Sequence, residues 1–151
     1  MSQENVEIVR NFFAATERAM ALYWVDPSSI ASALGESSLP PEGEEVFAFV
    51  HPDIIWNAGG FGSFRGHDQM AAAWDDIFDI ADEYSVSVIE MREGRGGLVY
   101  AAVERAIRAK GSGIQTKIPV FSVVKLDDGL IVQLDEFANR HDALKAAGLS
   151  E

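Results

Sequence analysis

Two charged residues stand where the surrounding pattern calls for apolar ones. Val99, Ala101, Val103, Arg105 and Ile107 fall at every second position of one β-rich run, and Leu130, Val132, Leu134, Glu136 and Ala138 do so in another. Side chains alternate along a strand, so each set shares one face. A face with four apolar members out of five is the buried one, and Arg105 and Glu136 are the exceptions. A guanidinium and a carboxylate on buried faces of one sheet form the polar end of a pocket. The chemistry open to them is proton transfer by Glu136, with Arg105 anchoring either that acid or a substrate oxygen. Arg105 and Glu136 also read as a structural ion pair beneath the sheet. Either charge buried alone would cost several kcal/mol, so each calls for a partner. The placement of Arg105 requires unbroken alternation from Leu98 to Ile107. One bulge would turn it outwards and bring Glu104 in.

The walls of such a pocket are expected from Val103, Ile107 and Leu134 on the same faces. Trp56 and Asn57 open onto a glycine-rich stretch at its mouth, and Trp24 comes from the first helix. Trp56 reads equally as core, and Trp24, with Trp74 and Phe78, as helix packing. Tyr23, Tyr84 and Tyr100 match no catalytic role by position. His51, His67 and His141 are scattered without metal-ligand spacing, so no metal site and no cofactor are expected. Gly59-Gly60-Phe61-Gly62 follows a strand but lacks the Lys-Ser/Thr ending of a phosphate loop. It reads as a flexible loop placed to cover the pocket.

The elements that must hold these residues follow from periodicity. Val6, Val9, Phe13, Met20 and Trp24 recur at helical spacing over Glu4–Trp24. Asp26-Pro27-Ser28 stops that helix, a short one follows to Leu34, and Gly35 to Glu44 is an irregular loop. Glu45–Val50 is expected as a helical turn ended by His51-Pro52-Asp53, and Ile54–Asn57 as a short strand. Asp68 is expected to cap a helix running to about Asp82, with Met70, Trp74, Ile77, Phe78 and Ala81 as its apolar stripe. Tyr84–Glu93 reads as a strand. The runs Leu98–Lys110, Ile114–Leu126 and Leu130–Asn139 then alternate with short turns, of which Asp127-Asp128-Gly129 is the strongest hairpin signal. Asn139 caps a last helix that Gly148 terminates. The order predicts an α+β fold, a strongly curved sheet wrapped around the first helix with a conical pocket at its open end.

Composition bounds the partners. The chain has 151 residues, 48% of them hydrophobic, and reads as a single domain over 1–151. The net charge of −12 repels a phosphate backbone and an anionic membrane surface alike, so neither nucleic acid nor membrane is expected as a partner. No cysteine is present, which excludes disulfides and thiol catalysis and fits a cytoplasmic protein. The first residues run straight into a helical pattern, and no signal peptide is expected.

Three stretches carry a resemblance. They are His51-Pro52-Asp53-Ile54-Ile55-Trp56, then Phe64-Arg65-Gly66-His67-Asp68, then Asp127-Asp128-Gly129-Leu130-Ile131 continuing to Asn139-Arg140-His141-Asp142-Ala143-Leu144-Lys145-Ala146-Ala147-Gly148-Leu149. In order and spacing the chain resembles the SnoaL-like branch of the nuclear transport factor 2-like superfamily. The resemblance implies a cystatin-like α+β cone, a curved mixed or antiparallel sheet around N-terminal helices, and a homodimer formed through the sheet's outer face. Relatives include polyketide cyclases, ketosteroid isomerase-like enzymes, limonene epoxide hydrolase and proteins of no known activity, so the fold alone does not deliver a function. Arg105 matches the arginine of the epoxide hydrolase pattern, but the acid two positions later is Ile107 here, and only Glu136 remains as the other acid. A water held between two carboxylates cannot be built from one. The expectation is therefore a pocket for a compact apolar ring or terpenoid-sized molecule, serving an isomerase, cyclase or hydratase. The alternative is a non-catalytic ligand-binding or dimerisation module.

Overall fold

The apolar repeat at helical spacing in the first twenty-odd residues forms helix α1, Ser2–Val25. Val9, Phe12, Phe13, Ala15 and Met20 bury its inner stripe, and Thr16 is tolerated there because its hydroxyl donates to the carbonyl of Phe12 at 2.9 Å. The computed structural model describes residues 2–25 and 41–150. The short helix expected up to Leu34 and most of the loop expected from Gly35 lie outside the described residues, and so does the side chain of Trp24.

Helix α2 spans Pro41–Phe47, earlier than the expected turn at Glu45–Val50. Strand β1 begins at Val50 and runs to Asn57, so His51-Pro52-Asp53 lies inside a strand rather than ending a helix. Pro52 is accommodated because the pairing of β1 with its neighbour shifts register between Val50 and Ile55, where a missing backbone N–H breaks no regular ladder. A 3-10 turn over Gly59–Phe61 leads to strand β2, Ser63–Arg65, which periodicity had not separated from the glycine-rich stretch.

Helix α3, Gly66–Ile80, starts at Arg65 as its cap rather than at Asp68. Gln69 reaches back to accept the Arg65 backbone N–H at 2.8 Å, and Asp68 lies inside the first turn, where its charge suits the helix dipole. Ala81 belongs to strand β3, Ala81–Glu93, not to the helix stripe. Strands β4 (Val99–Ala109), β5 (Gln115–Asp127) and β6 (Leu130–Phe137) then form a meander with β3, and helix α4 (Arg140–Ala146) closes the described chain. The Asn139 side chain caps α4, accepting from the Asp142 backbone N–H at 3.2 Å.

The six strands make one curved, unclosed mixed sheet in the order β2-β1-β6-β5-β4-β3, with β1 parallel to β6 and every other pair antiparallel. The concave face packs on α1 and α3 and buries Ile54, Trp56, Tyr84, Val86, Val99, Ala101, Val103, Val124, Ile131 and Leu134. The convex face is covered in part by α4, whose Ala143 and Leu144, with Ala147 just beyond it, seat on Tyr100, Ala102 and Val123.

Pairing of β4 with β5 runs unbroken from Val99 to Arg108, so Arg105 keeps the parity of Val99, Ala101 and Val103. The break falls in β6 instead. Lys125 pairs with Gln133 and Leu126 with Ile131, which leaves Val132 as an extra residue. The face expected to hold Leu130, Val132, Leu134 and Glu136 is therefore split. Ile131 supplies the core before the bulge, and Leu134 and Glu136 hold the concave side after it. Among the described residues no helix is long and apolar enough to cross a membrane.

Candidate functional site

Arg105 and Glu136 are brought together although β4 and β6 are not neighbours. Strand β5 lies between them, and Glu136 is paired there with the small, buried Ser122, which leaves room for the arginine to cross. Arg105 Nη2 donates to Glu136 Oε1 in a tight ion pair, with only 12% and 6% of the two side chains exposed. The same oxygen accepts the indole N–H of Trp56 at 2.8 Å. Trp56 reaches it because β1 pairs in parallel with β6, placing Trp56 beside Leu134, one inward position from Glu136. Two donors on Oε1 fix the plane of the carboxylate, and Oε2 receives neither of them. The Arg105 Nε–H is buried and has no hydrogen-bond partner among the described residues.

Next to this triad is a cavity of about 240 Å³. Ile77 and Ile80 of α3, Ile107 of β4, Ile118 and Val120 of β5 and the Phe61 and Phe64 rings supply its apolar wall. Trp56, Tyr84 and Arg105 are also in its lining, as is Asp76 of α3. Tyr84 is held neutral over a wide pH range. Burial pushes its pKa up to about 12, Arg105 opposes the shift and Glu136 reinforces it. A neutral phenol is a hydrogen-bond donor for an oxygen bearing developing charge. Glu136 itself lines a second cavity of about 120 Å³, together with Gly59, Gly60, Pro119, Phe137 and Ala138.

Each expected site residue but Trp24, whose side chain lies outside the described residues, has a definite place. Ile107 is on the wall of the larger cavity, as are Trp56 and Arg105. Val103 and Leu134 lie deeper, around a narrow space of about 30 Å³ shared with Trp56, Tyr84, Arg105 and Glu136. Asn57 is a correction. It follows Trp56 on β1, so the two must face opposite sides. Its amide donates to Asp135 Oδ1 at 2.6 Å and its carbonyl accepts the Ser63 hydroxyl at 2.8 Å, on the convex face. Tyr84, Ile118, Val120 and Phe64 are wall residues that sequence reasoning did not place. The only signal for Tyr84 was its parity with Val86 on the buried face of β3.

His51 and His67 serve the frame. His67 Nε2 bonds the Val50 carbonyl at 2.9 Å and packs on Phe47, and His51 Nδ1 accepts the Asp53 backbone N–H at 3.0 Å. Among the described residues no group of three or more His, Asp or Glu is placed to hold a metal.

A curved open sheet wrapped on helices, with a polar cluster sunk beside an apolar cavity, defines an α+β cone of the nuclear transport factor 2-like superfamily. The chain belongs to the SnoaL-like domain family, whose model matches residues 41–134. Many solved structures share the fold, and three serve as examples. One is a nuclear transport factor 2-like protein of unknown function from Burkholderia pseudomallei, at 16% identity, covering 95% of this chain and 97% of that one, TM-score 0.68. Another is a candidate SnoaL-like polyketide cyclase from Jannaschia sp. CCS1, at 15% identity, covering 99% and 95%, TM-score 0.65. The third is an epoxide hydrolase of the LEH-like type from Mycobacterium tuberculosis, at 16% identity, covering 97% and 90%, TM-score 0.64. No curated protein matches this chain in sequence.

Proposed function

We propose that this protein binds a compact, largely apolar molecule carrying one oxygen function, and that Glu136 moves a proton on it in an isomerisation, cyclisation or hydration. The observation that carries the reading is the meeting of an apolar cavity of about 240 Å³ with Trp56, Tyr84 and Arg105, behind which Glu136 is held in one orientation. In the isomerisation form, Glu136 Oε2 takes a proton from carbon next to a carbonyl. The electron pair of that C–H bond moves into the carbonyl to give an enolate, whose oxygen is held by Arg105 and the neutral Tyr84 hydroxyl. Where the substrate has a carbon–carbon double bond β,γ to the carbonyl, that enolate is a dienolate. The carboxylic acid then returns the proton to the γ-carbon, the double bond shifts into conjugation and the carbonyl re-forms. That a candidate polyketide cyclase and an epoxide hydrolase share the fold supports a small-molecule enzyme over an interaction module.

A thermal-shift panel of small alcohols, ketones, epoxides and lactones, run on wild type and Glu136→Gln, tests the reading. Saturable stabilisation by one class of compound sets the turnover assay. In that assay Glu136→Gln loses turnover at least a hundredfold while its circular dichroism is unchanged. A fully active Glu136→Gln variant overturns the catalytic role. Absence of any ligand shift, with a lowered melting point in the variant, leaves a structural ion pair in a module without a ligand.

A further inference from the structure

The larger cavity reaches Tyr84 but not Glu136, and the smaller one reaches Glu136 but not Tyr84. The narrow space of about 30 Å³ that touches both is too small for an organic ligand. The larger and the smaller cavity are both walled by Ala58, Phe61, Arg105, Ile118 and Val120. Four of these are held by the sheet or are themselves small. Phe61 differs, because it sits on the turn between β1 and β2 with 72% of its surface exposed. Its neighbours leave the ring room to rotate. Gly60 and Gly62 carry no side chains, and a Cβ added at Gly60 would meet nothing within 4 Å. The backbone beneath it is fastened, with the Ala58 N–H donating to the Gly62 carbonyl at 2.8 Å and the Phe61 N–H to the Ala58 carbonyl at 3.1 Å. Gly59 at φ 58° and Gly62 at φ 112° make that tight turn possible. The movable part is therefore the ring and not the loop.

Resting on the pocket reading above, we propose that Phe61 is the partition between the two cavities and sets the size of molecule that can contact Tyr84 and Glu136 together. With the ring in place, each volume is below the range of about 300–1,000 Å³ usual for pockets that enclose a drug-sized ligand. With the ring swung towards solvent, the two spaces join around Arg105 and fall inside that range. The ligand suited to the joined space is an elongated, two-ring apolar molecule with one carbonyl or hydroxyl oxygen. A one-ring molecule fits the larger cavity alone, closed by Phe61, and binds there without contacting Glu136, so the substrate of the reaction proposed above is of the two-ring size.

The experiment compares cyclohexanone and 2-decalone as one-ring and two-ring probes, with Kd measured by calorimetry on wild type, Phe61→Ala and Phe61→Trp. The ring is exposed, so its removal leaves the core packing intact, and circular dichroism checks the fold. Phe61→Leu supplies the same comparison with less of the ring removed. Phe61→Ala is expected to favour 2-decalone over cyclohexanone at least tenfold more than wild type does, and Phe61→Trp to shift the ratio the other way. A ratio unchanged within twofold across the variants, with both probes binding, overturns the partition and leaves the pocket reading standing. Failure of both probes to bind any of the proteins overturns both.

Discussion

The two faces of the sheet each carry an arginine, a glutamate and an aromatic donor, and the two clusters differ in their access to water. On the concave face Arg105 and Glu136 pair with the Trp56 indole donating to the same carboxylate. On the convex face Arg140 pairs with Glu90 at 3.0 Å, and the Tyr100 hydroxyl lies 3.5 Å from the same carboxylate. The concave pair retains 12% and 6% side-chain exposure, the convex pair 41% and 33%. In the first case each charge has given up its hydration and depends on the other. In the second, solvent can replace either partner, and the bond's work is to tack the start of α4 onto β3. The residue types are nearly the same, so their difference in consequence comes from burial.

The largest test of that contrast removes one charge from the concave pair. Arg105→Met and Glu136→Leu, taken singly, are each expected to lose about 3–5 kcal/mol in denaturant unfolding, because an uncompensated charge is left inside. The double substitution should recover most of that loss. It should fall short of wild type by about 1 kcal/mol, since the Trp56 N–H loses its acceptor. A double variant no better than the worse single one would mean that the pair is not the unit described.

A smaller effect is expected from Tyr84 at high pH. Unfolded, it releases its proton near its ordinary value of 10, and folded it keeps the proton to about 12. Between those values the unfolded chain binds fewer protons than the folded one, so rising pH favours unfolding. Stability should be unaffected by this group below about pH 10 and fall by up to about 3 kcal/mol across pH 10–12. Tyr84→Phe should flatten that fall in urea midpoints measured through the window. An unchanged slope in the variant would place the alkaline sensitivity elsewhere.

The smallest effect belongs to the convex pair. Arg140→Gln should lower the melting temperature less than any single change at Arg105 or Glu136. The difference should vanish near 1 M salt, where screening shortens to about 3 Å. A loss as large as the concave one, or one insensitive to salt, would erase the distinction between the faces.

What could be read ahead of the structure follows the range of each physical cause. Alternation is local, so the inward parity of Arg105 and Glu136 was legible from their own strands. The bulge at Val132 did not disturb Glu136 because it falls before Leu134, but it exchanged Val132 for Ile131 in the core. Asn57 was misplaced by treating two adjacent strand residues as wall. The cap of α3 was misplaced because Gln69 reaching back to Arg65 leaves no spacing signal as familiar as an acidic cap.

The sequence by itself determined the α+β class, the meander and the two charges on buried faces, because hydrophobic period and turn chemistry act over a few residues. The family was legible only through the resemblance its motifs carry. Only the tertiary structure decided that Trp56 of β1, Arg105 of β4 and Glu136 of β6 share one site, because strand order brings together segments up to 80 residues apart. It also decided that Tyr84 stays neutral beside them, since the burial that raises its pKa is a property of the assembled core and of no single strand.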